Sequence, residues 1–391
     1  MSLPILTIQK GRERSLHNRH PWIYSGAVGR MPEAREGQVV DVRDHSGRRL
    51  GYGFFSPESQ ITCRVFHYTD QNLDVLAPEY WHAKLASAWR LRQQLVADQG
   101  TDAFRLVNAE GDFFPGLIAD VYGKTAVLQL LIRGTEELAP AIADGLRALG
   151  IEHIFLKTKS VSQRIEKVEL EGWLGEPGQA LVEFVEDGCR FVADIEGGQK
   201  TGFFLDQRDS RMLAARMARG KKVLNTFSYS GGFSVHALRA GAELVHSVDS
   251  SAQAIELCER NVALNPNADR HQSFCQDVFQ FMGQMREDYD LIILDPPAFA
   301  KTAKAVAQAS RGYKDLNMRA FRKIKPGGIV FTFSCSQKID RDLFRKIVFS
   351  AAADAGRDVR ILHQTTQPPD HPINIYHPEN EYLKGLVLQV E

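Results

Sequence analysis

Among the five cysteines of this 391-residue chain, Cys335 is the one whose setting points to chemistry. It ends the apolar run IVFTFS, and Ser334-Cys335-Ser336 reads as the polar carboxyl end of a strand. A pyrimidine C5 is a poor nucleophile until a thiolate adds at C6 and makes C5 enamine-like, able to attack an electrophilic methyl group. One strand earlier, DLIILDPPAF ends in Asp295-Pro296-Pro297, a turn stiffened by its prolines. A carboxyl group there could meet the N3 and N4 edge of cytosine and, if protonated, give N3 a proton as charge builds on the ring. A base must later take the C5 proton, and the sequence does not identify it. Enzymes that methylate an exocyclic amine place an aromatic residue directly after the second proline, to stack on a flipped base. Here that place holds Ala298, with Phe299 one residue later, which weakens an amino-nitrogen reading. Any lone cysteine can also be a small buried hydrophobe, and Cys63, Cys189, Cys258 and Cys275 are read that way.

A donor site is legible upstream. The turn Asn225-Thr226-Phe227-Ser228-Tyr229-Ser230-Gly231-Gly232 follows one strand and opens a helix, so a ligand can approach the backbone closely. It lacks the GxGxxG spacing that seats a pyrophosphate, whereas S-adenosylmethionine has no phosphate and tolerates a looser turn. Eighteen residues beyond Gly231 the next strand ends in Asp249, placed to accept hydrogen bonds from both ribose hydroxyls. The third ends in Gln276-Asp277, where a carboxylate could receive an adenine amino group. Each feature alone has a plain structural alternative, a tight turn or a helix cap. Their order along one sheet is what carries the joint reading.

The elements that position these residues follow a regular rhythm. KVLNTFSYSGG, LVHSVDSS, SFCQD, DLIILDPP and GGIVFTFSCS are apolar runs ending in polar clusters, separated by helical stretches, the signature of a parallel sheet covered on both faces. Two last strands, VRILHQTT and YLKGLVLQV, are joined by the Pro-rich QPPDHPINIYHPENE without a helix, which predicts an antiparallel hairpin at the sheet edge. That combination resembles the class I methyltransferase fold. Ahead of it, residues 1–72 read as a small β-barrel, with VVDV, RLGYGFF and ITCRVFHY as strands. Residues 73–190 read as an α+β middle domain, with a helix through Leu85, Ala88, Leu91 and Leu95, the strands of LVNAEGDFFPGLIADVYGKTAVLQLLI, a helix TEELAPAIADGLRALG and a strand HIFLKT. Residues 191–391 form the α/β domain.

Composition bounds the rest. Hydrophobic residues make up 43% and charged residues 25%, with no apolar run of membrane-spanning length and no signal-like start, so a cytoplasmic protein is expected. The scattered cysteines give neither a disulfide framework nor a metal site. Net charge is zero, so attraction to nucleic acid must come from a local patch such as Lys10, Arg12, Arg14 and Arg19, beside His17, His20 and Trp22. An ordinary solvated surface is the alternative reading of that cluster.

Taken together, the motifs closely resemble the bacterial large-subunit ribosomal RNA cytosine-C5 methyltransferase I family over essentially the whole length. KGRERSLHNRHPWIYSGAV resembles the start of that family's RNA-binding PUA domain, and LVNAEGDFFPGLIADVYG its central domain. GGQKTGFFLDQRDSR, LNTFSYSGGFSVHAL, VDSS, QDVF, DPPAF, FSCS and DHPINIYHPENEYLKG follow its methyltransferase motifs in order. The resemblance implies S-adenosylmethionine as donor, 23S ribosomal RNA as partner, 5-methylcytosine as product and Cys335 as nucleophile. It implies that Phe204, Asp206 and Arg208 line the cofactor and substrate pocket with Asn225, Phe227, Ser228, Tyr229, Ser230, Gly231, Asp249, Ser250, Ser251, Gln276, Asp277, Asp295 and Pro296, while Phe203, Phe204 and Leu205 as core and Asp206 as a helix cap remain the plain structural alternative. Pro297 and Phe299 are then expected on the RNA side with the N-terminal basic cluster. DPPAF lacks the second cysteine that assists product release in many RNA cytosine-C5 methyltransferases, so release by another group is implied. A homodimer is compatible with the family. Two rivals remain at this level, a related enzyme methylating a guanine nitrogen and a non-catalytic RNA-binding assembly factor.

Overall fold

The computed structural model describes residues 3–96, 100–157, 168–285, 288–300 and 302–391. They form two compact units that are interleaved along the chain. The first comprises residues 1–184, 193–205 and 369–380, and the second residues 185–192, 206–368 and 381–391.

The first unit contains a six-stranded sheet in the order β2-β6-β5-β4-β1-β3, from β1 (Ile5–Ile8), β2 (Trp22–Tyr24), β3 (Val28–Arg30), β4 (Val39–Arg43), β5 (Arg49–Phe55) and β6 (Ile61–Tyr68). The three strands expected from residues 39–68 are all present, and Leu6, Ile8, Ile23, Val40, Val42 and Val65 pack a core against them. A second sheet runs β11-β10-β9-β8-β7, from β7 (Ala103–Asn108), β8 (Leu117–Tyr122), β9 (Thr125–Leu130), β10 (His153–Leu156) and β11 (Gly172–Trp173). Of the expected strand HIFLKT, Thr158 lies outside the described residues.

Two helix expectations are corrected here. The helix Pro78–Val96 buries Trp81, Leu85, Ala88, Arg92 and Val96, while Leu91 is 38% exposed. An arginine can take the buried face because its charge is matched: Arg92 Nη1 and Nη2 donate to Asp112 at 2.5 and 2.7 Å, and Nε donates to the Arg105 carbonyl at 2.8 Å. The single helix expected from TEELAPAIADGLRALG is two, Arg133–Glu137 and Ala139–Ala148, with Pro140 in the first turn of the second. Proline has no N–H to continue a preceding helix, but it suits the start of a new one.

Segment 369–380 returns to the first unit. Arg92 Nη2 donates to the Asp370 carbonyl at 2.8 Å, the Arg105 amide to Asp370 Oδ2 at 3.0 Å, and Asn108 Nδ2 to the Pro372 carbonyl at 3.0 Å. A Cβ on Gly111 would lie 2.1 Å from that same carbonyl oxygen, so glycine is required for the approach. The Pro-rich stretch is therefore more than a hairpin connector.

The second unit holds a seven-stranded sheet in the order β16-β15-β14-β17-β18-β20-β19. Its strands are β14 (Lys222–Thr226), β15 (Leu244–Asp249), β16 (His271–Cys275), β17 (Leu291–Leu294), β18 (Gly328–Ser334), β19 (Val359–Thr365) and β20 (Lys384–Val390). The first five pair in parallel, and β20 is antiparallel to both β18 and β19, as the hairpin expectation required. The α/β class follows from this sheet and the helices between its strands. A hairpin of β12 (Leu181–Glu186) and β13 (Cys189–Asp194) precedes it.

One buried ion group ties this hairpin to the first helices of the second unit. Glu186 Oε1 and Oε2 accept from Arg211 at 2.6 and 2.7 Å, and His236 Nε2 lies 3.1 Å from Oε1. Burial alone would raise the Glu186 carboxyl, but the Arg211 charge and the His236 contact hold it down to about 2. Because the folded value is depressed, this stabilisation is present above the ordinary value of 4.5 and is lost as pH falls from there towards 2. Glu186→Gln leaves Arg211 buried without its counter-charge, and we expect a loss of about 3–5 kcal/mol by denaturant unfolding near neutral pH. That loss should shrink as the pH is lowered through the same interval.

Candidate active site

The polar clusters at the strand ends of the second unit converge as in other open parallel sheets. At the first of them the backbone is unusual: Phe227, Tyr229 and Gly231 have φ of +54°, +44° and +76°. Two of these are non-glycine residues in the left-handed region, a strained arrangement that the neighbouring strand end holds in place. The Ser228 amide donates to the Val248 carbonyl at 3.1 Å, and the Tyr229 amide to Asp249 Oδ2 at 3.0 Å. Gly231 is fixed by space as well as by φ, since a Cβ there would lie 2.5 Å from Cys258 Sγ. Beneath the turn, Asn225 Nδ2 donates to Ser234 Oγ at 2.9 Å, and the Ser230 carbonyl accepts from Asn261 Nδ2 at 2.8 Å.

Asp249 is the hub of this end. Its Oδ1 accepts from the Ser251 amide at 2.9 Å while Oδ2 serves Tyr229. Each carboxylate oxygen thus has one backbone donor and lone-pair capacity for another. Ser251 also caps the helix Ala252–Ala263, its side chain accepting from the Ala254 amide, and Asp277 caps the helix Val278–Gln284 by accepting from the Gln280 amide at 3.0 Å. Both residues therefore have the structural employment that their types favour. Ser250 and Asp277 are exposed, and Gln276 is half-buried, with its amide donating to the Asp249 carbonyl at 2.9 Å. Ser228 Oγ is buried and has no hydrogen-bond partner, a polar atom at the turn left over for a ligand.

The predicted chemical residues come together at the ends of β17 and β18. Cys335 Sγ is 4.0 Å from the Pro296 carbonyl oxygen, and Cys335 is partly exposed. Asp295 is half-buried, Pro296 buried and Pro297 exposed. Phe299 packs against Tyr313, with ring centroids 4.7 Å apart, so part of its surface is already committed to the core. The turn is pinned to the strand end through Ser336, whose Oγ accepts from the Ala300 amide at 3.2 Å and lies 3.1 Å from the Tyr313 hydroxyl. Burial raises the Tyr313 hydroxyl above its ordinary range.

Three residues that sequence reading did not assign complete this end of the unit. Lys384 is buried at the start of β20, opposite Ser334 in the register, and its ammonium donates to the carbonyls of Ser336 and Tyr382, both at 2.8 Å. Burial lowers it to about 8, opposed first by the charge on Cys335. Tyr382 OH donates to Asp206 Oδ2 at 2.8 Å, and Asp206 and Arg208 are both buried. Ser336 is the third. The stretch EYLKG was visible as a motif, but only the antiparallel register places its lysine beside a cysteine 49 positions earlier. Phe204 belongs to the first unit, where Lys200 Nζ lies 4.3 Å from its ring centroid. The four N-terminal cations, Lys10, Arg12, Arg14 and Arg19, are exposed and make no ion pair among the described residues.

Residues 119–378 match the family model for S-adenosylmethionine-dependent methyltransferases, and residues 6–68 match that for PUA-like domains. The chain is 41% identical over 395 residues to the ribosomal RNA large subunit methyltransferase I of Klebsiella pneumoniae strain 342, covering 99% of this chain and 98% of that one. The chain belongs to the S-adenosylmethionine-dependent methyltransferase family. The protein of the same name from Escherichia coli O139:H28 is also 41% identical, over 394 residues, with 98% and 99% covered. Among solved structures, a protein from Streptococcus mutans assigned as a SAM-dependent methyltransferase superposes with a TM-score of 0.83 at 22% identity, covering all of both chains. Trm5b of Pyrococcus abyssi gives 0.53 at 17% identity over 70% of this chain and 74% of that one. The cofactor of this methyltransferase is S-adenosylmethionine. The open capacity of Asp249, the orphan Ser228 hydroxyl and a turn free of pyrophosphate spacing fit a nucleoside without a phosphate.

The methyltransferase should show a graded cysteine reactivity. Burial pushes the thiols of Cys63, Cys189 and Cys258 up to about 12, whereas Cys275 is exposed and Cys335 partly so. Brief treatment of the native protein with iodoacetamide, read by peptide mass spectrometry, should label Cys275 and Cys335 and leave the other three until the chain is unfolded.

Proposed function

We propose that this methyltransferase transfers a methyl group to C5 of a cytosine in large-subunit (23S) ribosomal RNA, through a transient bond between Cys335 Sγ and C6 of the base. The observation that carries the reading is the meeting of Cys335 with the Pro296 carbonyl at 4.0 Å, on the strand end across which Lys384 is paired with Ser334. The RNA is taken from the 41% identical relatives, which are ribosomal RNA large subunit methyltransferases, and the exposed N-terminal cations, which make no ion pair among the described residues, suit its phosphates. An enzyme with that substrate works where ribosomal RNA is made, in the bacterial cytoplasm.

In this reading Asp249 holds the ribose hydroxyls of the cofactor, and the turn from Asn225 to Gly231, with Ser228, lies along the remainder. Ser250, Ser251, Gln276 and Asp277 bound the adenine side, and Asp206 and Arg208 complete the pocket within the second unit. When bound, S-adenosylmethionine supplies an electrophilic sulfonium methyl for the activated C5. Cys335 reacts as the thiolate, which a neighbouring ammonium favours over the thiol. Lys384 is a positioning residue in this scheme, supplying that charge while holding the carbonyls of Ser336 and Tyr382. Asp295 binds the N3 and N4 edge of cytosine, and Pro296, Pro297 and Phe299 shape the wall around the base. Once C5 carries the methyl group, transfer of its proton to a base breaks the C6–S bond, expels Cys335 as the thiolate and restores the aromatic ring.

With methyl-labelled cofactor and unmodified 23S RNA, nuclease digestion should release label as 5-methylcytidine. Label in a methylguanosine would overturn the base assignment, and no transfer at all would favour a binding factor. Cys335→Ala should abolish transfer with cofactor binding intact. Asp249→Ala should weaken cofactor binding by about 10- to 150-fold, the loss of one or two hydrogen bonds to a charged acceptor. Lys384→Met should slow alkylation of Cys335 near neutral pH, because the ammonium that favours the thiolate is removed. That difference should disappear as pH rises through about 8, where the wild-type ammonium is itself lost.

A further inference from the structure

A cleft of about 470 Å3 lies within the first unit, a volume typical of small-molecule and nucleotide sites. Two of its lining residues are large aromatics left in solvent, Phe113 at 56% exposure and Tyr376 at 42%. Two of them, Phe113 and Arg19, hold φ near +55°, a conformation that non-glycine residues adopt only where the surroundings enforce it. The enforcement at Phe113 is visible. Its amide donates to the Glu110 carbonyl at 3.2 Å, and its own carbonyl accepts from Lys84 Nζ, which also donates to the Phe66 carbonyl at 3.0 Å. A lysine is thus spent on presenting an aromatic ring to water, which packing alone would not ask for.

The charges of the cleft point the same way. Arg19 makes no ion pair among the described residues, whereas Arg48 and Arg49, which share a second cleft with it, are matched by Asp44 and Asp41. Lys84 also lines the cleft, but burial lowers its ammonium to about 7 and it is committed to the Phe66 and Phe113 carbonyls, so Arg19 is the cation offered to a ligand. Among the described lining residues Glu110 is the carboxylate, with Oε1 accepting from the Trp22 indole at 2.7 Å. Exposed aromatic faces beside an arginine without an ion-pair partner are the chemistry of single-stranded nucleic acid binding, where bases stack and phosphates pair.

We infer that this cleft receives one unpaired nucleobase of the substrate RNA against Phe113 and Tyr376, with an adjoining phosphate on Arg19. The inference rests on the RNA substrate proposed above, and it adds a contact made by residues with no part in the methyl-transfer chemistry. Stacking of this kind tolerates any base, so the cleft grips a flanking nucleotide and does not select the target.

Ultraviolet cross-linking of the full-length wild-type protein to a short single-stranded oligoribonucleotide carrying 5-bromouracil should join RNA to the peptide containing Phe113 or that containing Tyr376. Phe113→Ala and Tyr376→Ala should each weaken binding of the same oligonucleotide by about 5- to 150-fold, while Phe113→Trp retains it. Arg19→Gln should lower the slope of log affinity against log salt by about one. Cross-links confined to other peptides, together with alanine variants that bind as tightly as wild type, would overturn the inference. If wild type still methylates RNA in that case, the proposed function stands without the cleft. If wild type neither binds nor methylates RNA, both fall.

Discussion

The register between β18 and β20 is the constraint on which the chemical end of this protein depends. Pairing Ser334 with Lys384 puts the first residue of the last strand across from the last residue of the fifth. An antiparallel strand inserted into a parallel sheet runs its amino end to the edge where its neighbours finish. That geometry is how Lys384 reaches the carboxyl-end crevice, which Asp249, Asp295 and Cys335 reach by the ordinary route of a parallel strand ending there. A slip of one residue would turn Lys384 to the opposite face of the sheet and separate it from the Ser336 carbonyl.

Two kinds of buried polarity stabilise the two units. In the first, Arg105 bridges Asp120 and Asn108 while Thr201 donates to Asp120 at 2.6 Å, so a chain of matched charges and amides links neighbouring strands of the second sheet. In the second, the Glu186 carboxylate lies between Arg211 and His236. Both arrangements satisfy their hydrogen bonds internally. Groups of this sort add less net stability than their short distances imply, but removing any one member exposes the desolvation cost of the others.

Much of this was legible in the sequence because the α/β rhythm is local. Each strand end carries its own polar cluster, and Asn225 to Gly231, Asp249, Asp277, Asp295 and Cys335 all sit at such ends. What escaped was set by contacts distant along the chain. Leu91 fits the apolar stripe of its helix but yields the buried face to Arg92, because Asp112, twenty residues on, neutralises the guanidinium. Lys384 and Tyr382 lie in a conspicuous motif, yet their partners, Ser336 and Asp206, are fixed only by topology. Likewise the left-handed backbone and exposure of Phe113, on which the sequence offered no reading, appear only with the Lys84 clamp in place.

The return of residues 369–380 to the first unit has a consequence for how the chain is born. The hydrogen bonds from Arg92, Arg105 and Asn108 to Asp370 and Pro372 span more than 260 positions. During synthesis, then, the N-terminal sheets emerge early but lack an integral strip of themselves until almost the whole polypeptide has left the ribosome. Domains usually mature in order as they appear, and contacts of such long separation are slow to close. Here the first unit to emerge is among the last to be finished, so neither half of the molecule matures as a free-standing module.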